Sequence, residues 1–294
     1  MKISVIIATK NRFNYLLDLL SDLQLQNQKV DEVVISDQSD SFTKIENQYS
    51  FNLIHFKHDG IGPCCSRNYA TDKSSNEILI FLDDDARIES NFIEEIIRPI
   101  LENKTSVCSG AVCNLDGTFI NKKETNNHWF YKLTVVPNKE VEECYYTPAG
   151  CTAILRKTFY EIGKFDQYFD PNGAAEDREF AVRLVRNGYK IFFNPQAKLL
   201  HIGASKGGRR NDKNTTLVFQ KNIGFIIYKY YGLKKLQGYR LYLAKQRLKQ
   251  VFKLKLPLHN VEMLYKLIKM TNRKAYDGYL HKRNKLKNEK RKTL

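Results

Sequence analysis

Long hydrophobic runs are missing from this sequence. Its best candidates, residues 223–231 and 78–82, are short or interrupted by Gly224 and Lys229, far from the ~20 apolar residues that span a bilayer. Metal-type cysteine spacing is missing too. Cys64, Cys65, Cys108, Cys113, Cys144 and Cys151 form no C-x-x-C pair, which argues against a zinc site. Met1-Lys2 leads straight into Ile3-Ser4-Val5-Ile6-Ile7, leaving no room for a signal peptide before a first strand. The cysteines are therefore expected as reduced thiols in a cytosolic protein. No nucleic-acid motif is present, and no Gly-rich basic loop follows the first strand, which counts against a nucleotidyltransferase. Acidic residues nearly vanish after position 205. Residues 206–294 hold 25 Lys/Arg against 4 Asp/Glu, whereas residues 1–205 hold 23 against 28. The net charge of +16 thus joins a mildly acidic domain, residues 1–205, to a basic arm, residues 206–294, and the asymmetry predicts an anionic partner for the arm.

What is present is enough apolar residue, 42%, for a real core. The first ~100 residues alternate apolar runs with helical patterns, as βαβ units around a mostly parallel sheet do. Ile3 to Ala8, Glu32 to Asp37, Phe51 to Phe56 and Glu77 to Leu82 read as strands. Leu16, Leu19, Leu20 and Leu23 fall on one face of a helix spanning Asn14 to Leu25, and Arg67 to Lys73 begins another. Further on, Tyr145 to Leu155 reads as a strand broken by Pro148 and Gly150, and Lys157 to Ile162 as a short helix. Glu176 to Arg186 is a helix ended by Asn187-Gly188. Ile191 to Phe193 and Lys198 to Ile202 read as two closing strands, and basic helices follow.

Three strand ends deliver polar residues to one edge: Thr9 to Arg12, Asp37, and Asp83-Asp84-Asp85. Ligands bind beyond the carboxyl ends of strands in open α/β sheets. Three adjacent carboxylates repel one another unless a cation or donors neutralise them. Oxygen ligands of this kind suit Mg²⁺ or Mn²⁺ held together with substrate phosphates. The other reading is a solvated turn, or the N-terminal turn of a helix from Ala86 to Ile97.

The motifs also resemble an established set. Ile3 to Arg12 resembles the opening strand and turn of the inverting family-2 glycosyltransferases, which have the GT-A fold. Ser36-Asp37-Gln38-Ser39-Asp40 resembles their second-strand acidic motif, with Ser36 in place of the usual first Asp. Gly62 to Asn68 resembles a Gly-rich segment ending in Ala-Arg-Asn, here Ser66-Arg67-Asn68; Gly163 to Asp166 resembles a Gly-x-Phe-Asp segment; and Glu176-Asp177 resembles the Glu-Asp pair that starts a helix. The ordered set covers residues 1–205.

The resemblance implies a GT-A catalytic domain with a Rossmann-like mixed sheet, followed by a basic helical extension. It implies transfer of a sugar from a nucleotide-diphosphate donor, a UDP-sugar foremost, to a hydroxyl of a glycan or lipid-linked glycan in cell-surface polysaccharide assembly. Asp37 would bind the donor base with Thr9 nearby, Asp83 and Asp84 would face ribose and phosphate, and Arg12 and Arg67 would complete the donor site. Asp85, with Asp83 and His201, would hold Mn²⁺ or Mg²⁺. Asp177, beside Glu176, would act as base. For His201 the alternative is an ordinary structural histidine, and for Glu176-Asp177 a favourable place on the helix dipole. Gly150 fits either a close approach to the sugar or a bulge. Lys206, Arg209 and Arg210 lie on a Gly-Gly loop that either closes over the pyrophosphate or stays solvated. Trp129, the sole tryptophan, either packs in the core or stacks on an acceptor sugar. In the arm, Val261, Leu264, Tyr265 and Ile268, and likewise Leu241, Ala244, Leu248 and Val251, follow helical spacing beside lysines. Such helices either lie on an anionic membrane or pack on the catalytic domain, a placement at the inner face of the plasma membrane in the first case. Nucleic acid is disfavoured as partner. The competing function is a non-catalytic nucleotide-sugar-binding or nucleic-acid-binding protein on the same fold.

Overall fold

The computed structural model describes residues 1–120, 127–128, 131–132, 139–204, 207, 215–254, 276–278 and 280. The chain divides into two compact units, Met1–Asn211 and Asp212–Leu294.

The first unit is built on β1 (Ile3–Thr9), α1 (Phe13–Gln24), β2 (Glu32–Asp37), β3 (Asn52–Lys57), α2 (Pro63–Lys73), β4 (Ile78–Asp83), β5 (Ala86–Ile88), α3 (Phe92–Leu101) and β6 (Val107–Cys113). After these come a short hairpin of β7 (Asn127–His128) and β8 (Tyr131–Lys132), then β9 (Cys151–Leu155), α4 (Arg156–Glu161), α5 (Glu176–Arg186) and β10 (Ile191–His201). Eight strands form one mixed sheet in the order β3-β2-β1-β4-β9-β6-β10-β5. The first four run parallel, and β9 is antiparallel to both β4 and β6.

Side chains of a strand alternate between faces, and both faces of the central strands β1, β2 and β4 are buried. Ile3, Val5, Ile7, Ile80 and Leu82 join Leu16, Leu19, Leu20 and Leu23 of α1 and Ile93, Ile96 and Ile97 of α3 in one buried cluster. On the opposite face Phe81 meets the rings of Phe159 and Phe165 at 5.1 Å each. Two-sided burial explains why these strands read as continuous apolar runs. Each core leucine contributes about 1.5–3 kcal/mol by leaving water.

Three expectations are corrected. Ala86 does not open a helix: Ala86–Ile88 pairs antiparallel with β10, and α3 begins only at Phe92. Three residues are too short to carry a strand period. The two closing strands are one strand, β10, with a register shift between Asn194 and Lys198 where it passes Gly110 and Ala111 of β6. The strand expected from Tyr145 starts only at Cys151, past Pro148, which has no amide hydrogen to give.

The second unit contains α6 (Thr215–Leu254), broken at Gly232, whose φ of 81° lies outside the helical region. On the expected apolar line Leu241 is exposed and Ala244 half-buried, whereas Leu236, Tyr239 and Leu243, off that line, are buried; the side chains of Leu248 and Val251 lie outside the described residues. Trp129, Lys206, Arg209, Arg210 and the stretch from Val261 to Ile268 lie outside the described residues.

Candidate functional site

Sheet register brings the polar strand ends into line. Thr9 pairs with Asp37, and Ala8 with Asp83, so β1, β2 and β4 end together at one edge. Asn11, with φ of 56°, turns the chain sharply there. The Arg12 side chain folds back so that its Nη1 lies 2.7 Å from Asp84 Oδ1 and 3.3 Å from Asp85 Oδ1. Thr9 Oγ1 donates to Asp84 Oδ2 at 2.8 Å. Asp84 is thereby a buried anchor, with its own oxygens engaged. Burial pushes its pKa up to about 6, against the pull of Arg12 and Thr9. Burial works against the Arg12 charge, but Asp84, Asp85 and Asp83 outweigh it and raise its pKa.

Asp85 is 1% exposed, and β10 surrounds it. His201 pairs with Ala86 across β5 and β10. Ile202 N–H donates to the Asp85 carbonyl at 2.9 Å, and Ala204 N–H to Asp85 Oδ2 at 3.0 Å. The other oxygen, Oδ1, stands 3.5 Å from His201 Nε2. Among the described residues, Asp83, Asp85 and His201 form a group in which one ligand atom from each lies within 4.8 Å of the others. Two carboxylates and one imidazole fit Mn²⁺ or Mg²⁺, the imidazole suiting Mn²⁺ better.

Asp83 has space because residue 150 is a glycine. A Cβ there would lie 2.1 Å from the Asp83 carboxylate carbon. On its other side Arg67 Nη2 donates to Asp83 Oδ1 at 2.8 Å, while Nη1 lies 3.5 Å from Glu176 Oε1. Burial disfavours the Arg67 charge, yet Asp83 and Glu176 outweigh that and raise its pKa. The structure therefore brings Thr9, Arg12, Asp83, Asp84, Asp85, Arg67, Gly150, Glu176 and His201 into one connected set of contacts.

Asp37 sits at the same edge but is buried and internally partnered. Ser39 N–H donates to its Oδ1 at 2.7 Å, and His55 Nε2 lies 3.3 Å from its Oδ2. Burial raises its pKa, but the bonds from His55 and Ser39 outweigh it and hold the carboxyl low. Ser36 stands 3.0 Å from His58 Nδ1 and accepts from Ser66 Oγ at 2.8 Å.

Asp177, the second residue of α5, lines a cleft of about 160 Å³ together with Tyr145, Tyr146, Pro148 and Arg178. Its Oδ1 accepts from Arg178 N–H at 2.7 Å. Burial raises its pKa, countered in part by Arg178 and Arg67. Farther along α5, buried Glu179 and Arg183 pair at 2.8 Å, and Arg183 also donates to the Ile162 carbonyl at 2.6 Å. The bond from Arg183 to Ile162 fastens the helix to the segment before it, and Glu179 holds Arg183 in place.

Sequence reasoning missed Asp170. Its carboxylate accepts from Cys64 N–H at 3.0 Å and Cys65 N–H at 2.9 Å, capping α2, the helix that carries Arg67. Gly62 leaves it room, since a Cβ there would meet Asp170 Oδ1 at 2.2 Å. The close approach at Gly207, one glycine of the Gly-Gly loop, was missed as well: a Cβ on it would lie 2.6 Å from the Lys10 carbonyl, so the chain at this residue runs against the β1–α1 turn. No local pattern marks either contact, since both involve partners far away in sequence.

The profile of glycosyl transferase family 2 matches residues 4–163, which takes in all of the strand ends and the triplet. The chain belongs to glycosyl transferase family 2. It is 24% identical over 222 residues to the GalNAc(5)-diNAcBac-PP-undecaprenol beta-1,3-glucosyltransferase of Campylobacter jejuni, covering 71% of this chain and 70% of that one. It is 21% identical over 217 residues to the glucosyl-dolichyl phosphate glucuronosyltransferase of Haloferax volcanii, covering 68% and 69% of the two. Among solved structures, S. aureus TarS 1-349 in complex with UDP-GlcNAc superposes with a TM-score of 0.63 at 18% identity, over 91% of this chain and 79% of TarS. GalNAc-T7 with UDP, GalNAc and Mn²⁺ superposes with a TM-score of 0.58 at 17% identity, over 92% of this chain and 54% of that one. The fold is thus the GT-A arrangement, and this family-2 protein is a glycosyltransferase. The findings do not favour a non-catalytic binding protein.

Proposed function

We propose that this family-2 protein is an inverting, metal-dependent transferase that moves a sugar from a nucleoside-diphosphate donor to a hydroxyl of a lipid-linked glycan. The observation that carries the reading is the convergence of Asp83, Asp85 and His201 within 4.8 Å, at the edge where β1, β2 and β4 end. The relatives named for undecaprenol- and dolichol-linked substrates support the acceptor class, and the TarS complex supports UDP in the donor. We assign assembly of a cell-surface polysaccharide as the setting, at a membrane surface on the cytoplasmic side.

The donor lies across the strand ends, with its base toward Asp37 and Thr9 and its diphosphate toward the triplet. Asp83, Asp85 and His201 hold Mn²⁺ or Mg²⁺, which when bound neutralises the charge developing on the departing diphosphate. Arg12 fixes Asp84 and Asp85 in place, so that the two carboxylates do not splay apart. Arg67 holds Asp83 toward the donor and carries its position to Glu176. Asp177 takes the proton from the acceptor hydroxyl as that oxygen attacks the anomeric carbon from the face opposite the leaving group, so the configuration inverts. Burial keeps Asp177 more basic than an exposed aspartate, which suits it to that proton. Tyr145 and Pro148 line the cleft beside it and offer flat surfaces to a sugar. Lys206 and Arg209, which lie outside the described residues, are assigned to the diphosphate on their charge alone.

The test is Asp177→Asn, assayed for sugar transfer and, separately, for donor binding. Transfer is expected to fall ~10²–10⁴-fold, the size of a lost general base, with donor affinity kept. Undiminished transfer would remove Asp177 from the mechanism.

A further inference from the structure

We infer that the second unit carries a docking surface for an anionic lipid bilayer, formed by the outer face of α6 after its break at Gly232. With 3.6 residues per turn, Lys234, Gly238, Leu241 and Lys245 fall on one line along the helix, and Lys235 and Tyr242 flank it about a quarter of a turn away. The structure shows that this face is the outward one. Lys234, Lys235 and Lys245 are exposed, Leu241 is 73% exposed and Tyr242 36%. The opposite line, Leu236, Tyr239 and Leu243, is buried. The helix therefore already buries one apolar face and still presents a leucine and a tyrosine among lysines.

The chemistry of that face selects one occupant. One exposed leucine is ordinary on a protein surface; what distinguishes this face is that Leu241 stands among exposed lysines of a strongly basic segment. A phosphate-rich bilayer surface engages both kinds: lysines reach the headgroups, Tyr242 sits at headgroup level, and Leu241 enters the acyl boundary. Nucleic acid would engage the lysines and leave Leu241 unused. The wider charge agrees, since residues 206–294 hold 25 Lys/Arg against 4 Asp/Glu, and anionic leaflets attract such segments. No helix of the described residues is long and apolar enough to cross a membrane. The inference rests on the face of α6 and stands apart from the donor chemistry.

The full chain is mixed with vesicles of phosphatidylcholine alone or with a third of phosphatidylglycerol, and pelleted. Binding to the anionic vesicles is expected to exceed binding to the neutral ones at least tenfold, and to fall steeply in 0.5 M salt (roughly a 4–5 Å Debye length). Leu241→Asp, and separately Lys234→Glu with Lys235→Glu, are each expected to lower it tenfold or more. These are surface positions, and unchanged stabilisation by nucleoside diphosphate would show that the first unit is intact in each variant. Equal binding to both vesicle types, no binding to either, or Leu241→Asp binding like the parent would overturn the inference. So would a short DNA duplex that binds as tightly and competes the vesicles off without regard to Leu241.

Discussion

Arg67 Nη2 donates to Asp83 Oδ1 at 2.8 Å. The same guanidinium stands 3.5 Å from Glu176 Oε1, so one side chain joins the last residue of β4 to the first residue of α5. The triplet and the Glu-Asp pair are separated by about ninety residues of sequence, and this buried arginine is a direct link between them. Removing it leaves two carboxylates facing a dry arginine-shaped space. Arg67→Ala is therefore expected to cost about 3 kcal/mol, the low end for a broken buried pair, since Asp83 keeps some contact with water. The urea midpoint measures this. Arg67→Lys keeps the charge but not the fork, and should fall between the two.

A pH profile probes Asp177. A base acts only when deprotonated, and burial raises this group's pKa. Activity is therefore lost as pH falls through that raised value, and the acidic limb of kcat/KM should lie above the ordinary aspartate value of about 3.9. In Asp177→Glu the limb should move along the pH axis with activity partly kept. A limb at the ordinary position, unmoved by the substitution, would count against the assignment.

Metal preference probes His201. Its imidazole is the softer ligand of the group, so His201→Ala should raise the Mn²⁺ concentration for half-maximal activity tenfold or more. His201→Asp should shift preference from Mn²⁺ toward Mg²⁺. Titrating each variant with both ions checks this; indifference to both changes would make His201 structural.

Asp170 offers a finer test. It caps the helix that carries Arg67, and Gly173, next along its loop, packs against Pro63 of that helix. The loop from Asp170 to Glu176 is thus fastened to α2 at its start, middle and end. Asp170→Ala should cost about 1 kcal/mol, as for a lost cap. Its larger effect should fall on kcat, with donor affinity little changed, because the loop positions Asp177. A change in donor affinity with kcat kept would contradict that role.

Much of this was legible in the sequence because the features are local. Ile3 to Ala8 and Ile78 to Leu82 are apolar runs that only a two-sided sheet buries, and the triplet follows the second run directly. The Glu176 to Arg186 helix announced its end with Asn187-Gly188, and Gly188 does adopt the left-handed conformation, at φ 84°. What escaped was non-local. The strand Ala86–Ile88 exists only because β10 lies beside it, and that same pairing delivers His201 to Asp85. Gly150 offered two readings until Asp83 was seen to occupy the space of its missing side chain. Asp170 and His55 carry no motif, and their roles come from partners brought near by the fold. Several apolar residues ring α6, and only packing decides that Leu236, Tyr239 and Leu243 are buried while Leu241 is exposed.

One measurement tests the metal-dependent donor site most directly: the thermal stability of the chain with a panel of nucleoside diphosphates, with and without Mn²⁺, in the parent and in Asp85→Ala. Bound ligand appears as added stability, about 2.7 kcal/mol at a hundredfold excess over Kd. The expected result is stabilisation by UDP that requires Mn²⁺ and disappears in Asp85→Ala. Stabilisation equal with and without Mn²⁺, or unchanged in Asp85→Ala, would contradict the metal-dependent donor site.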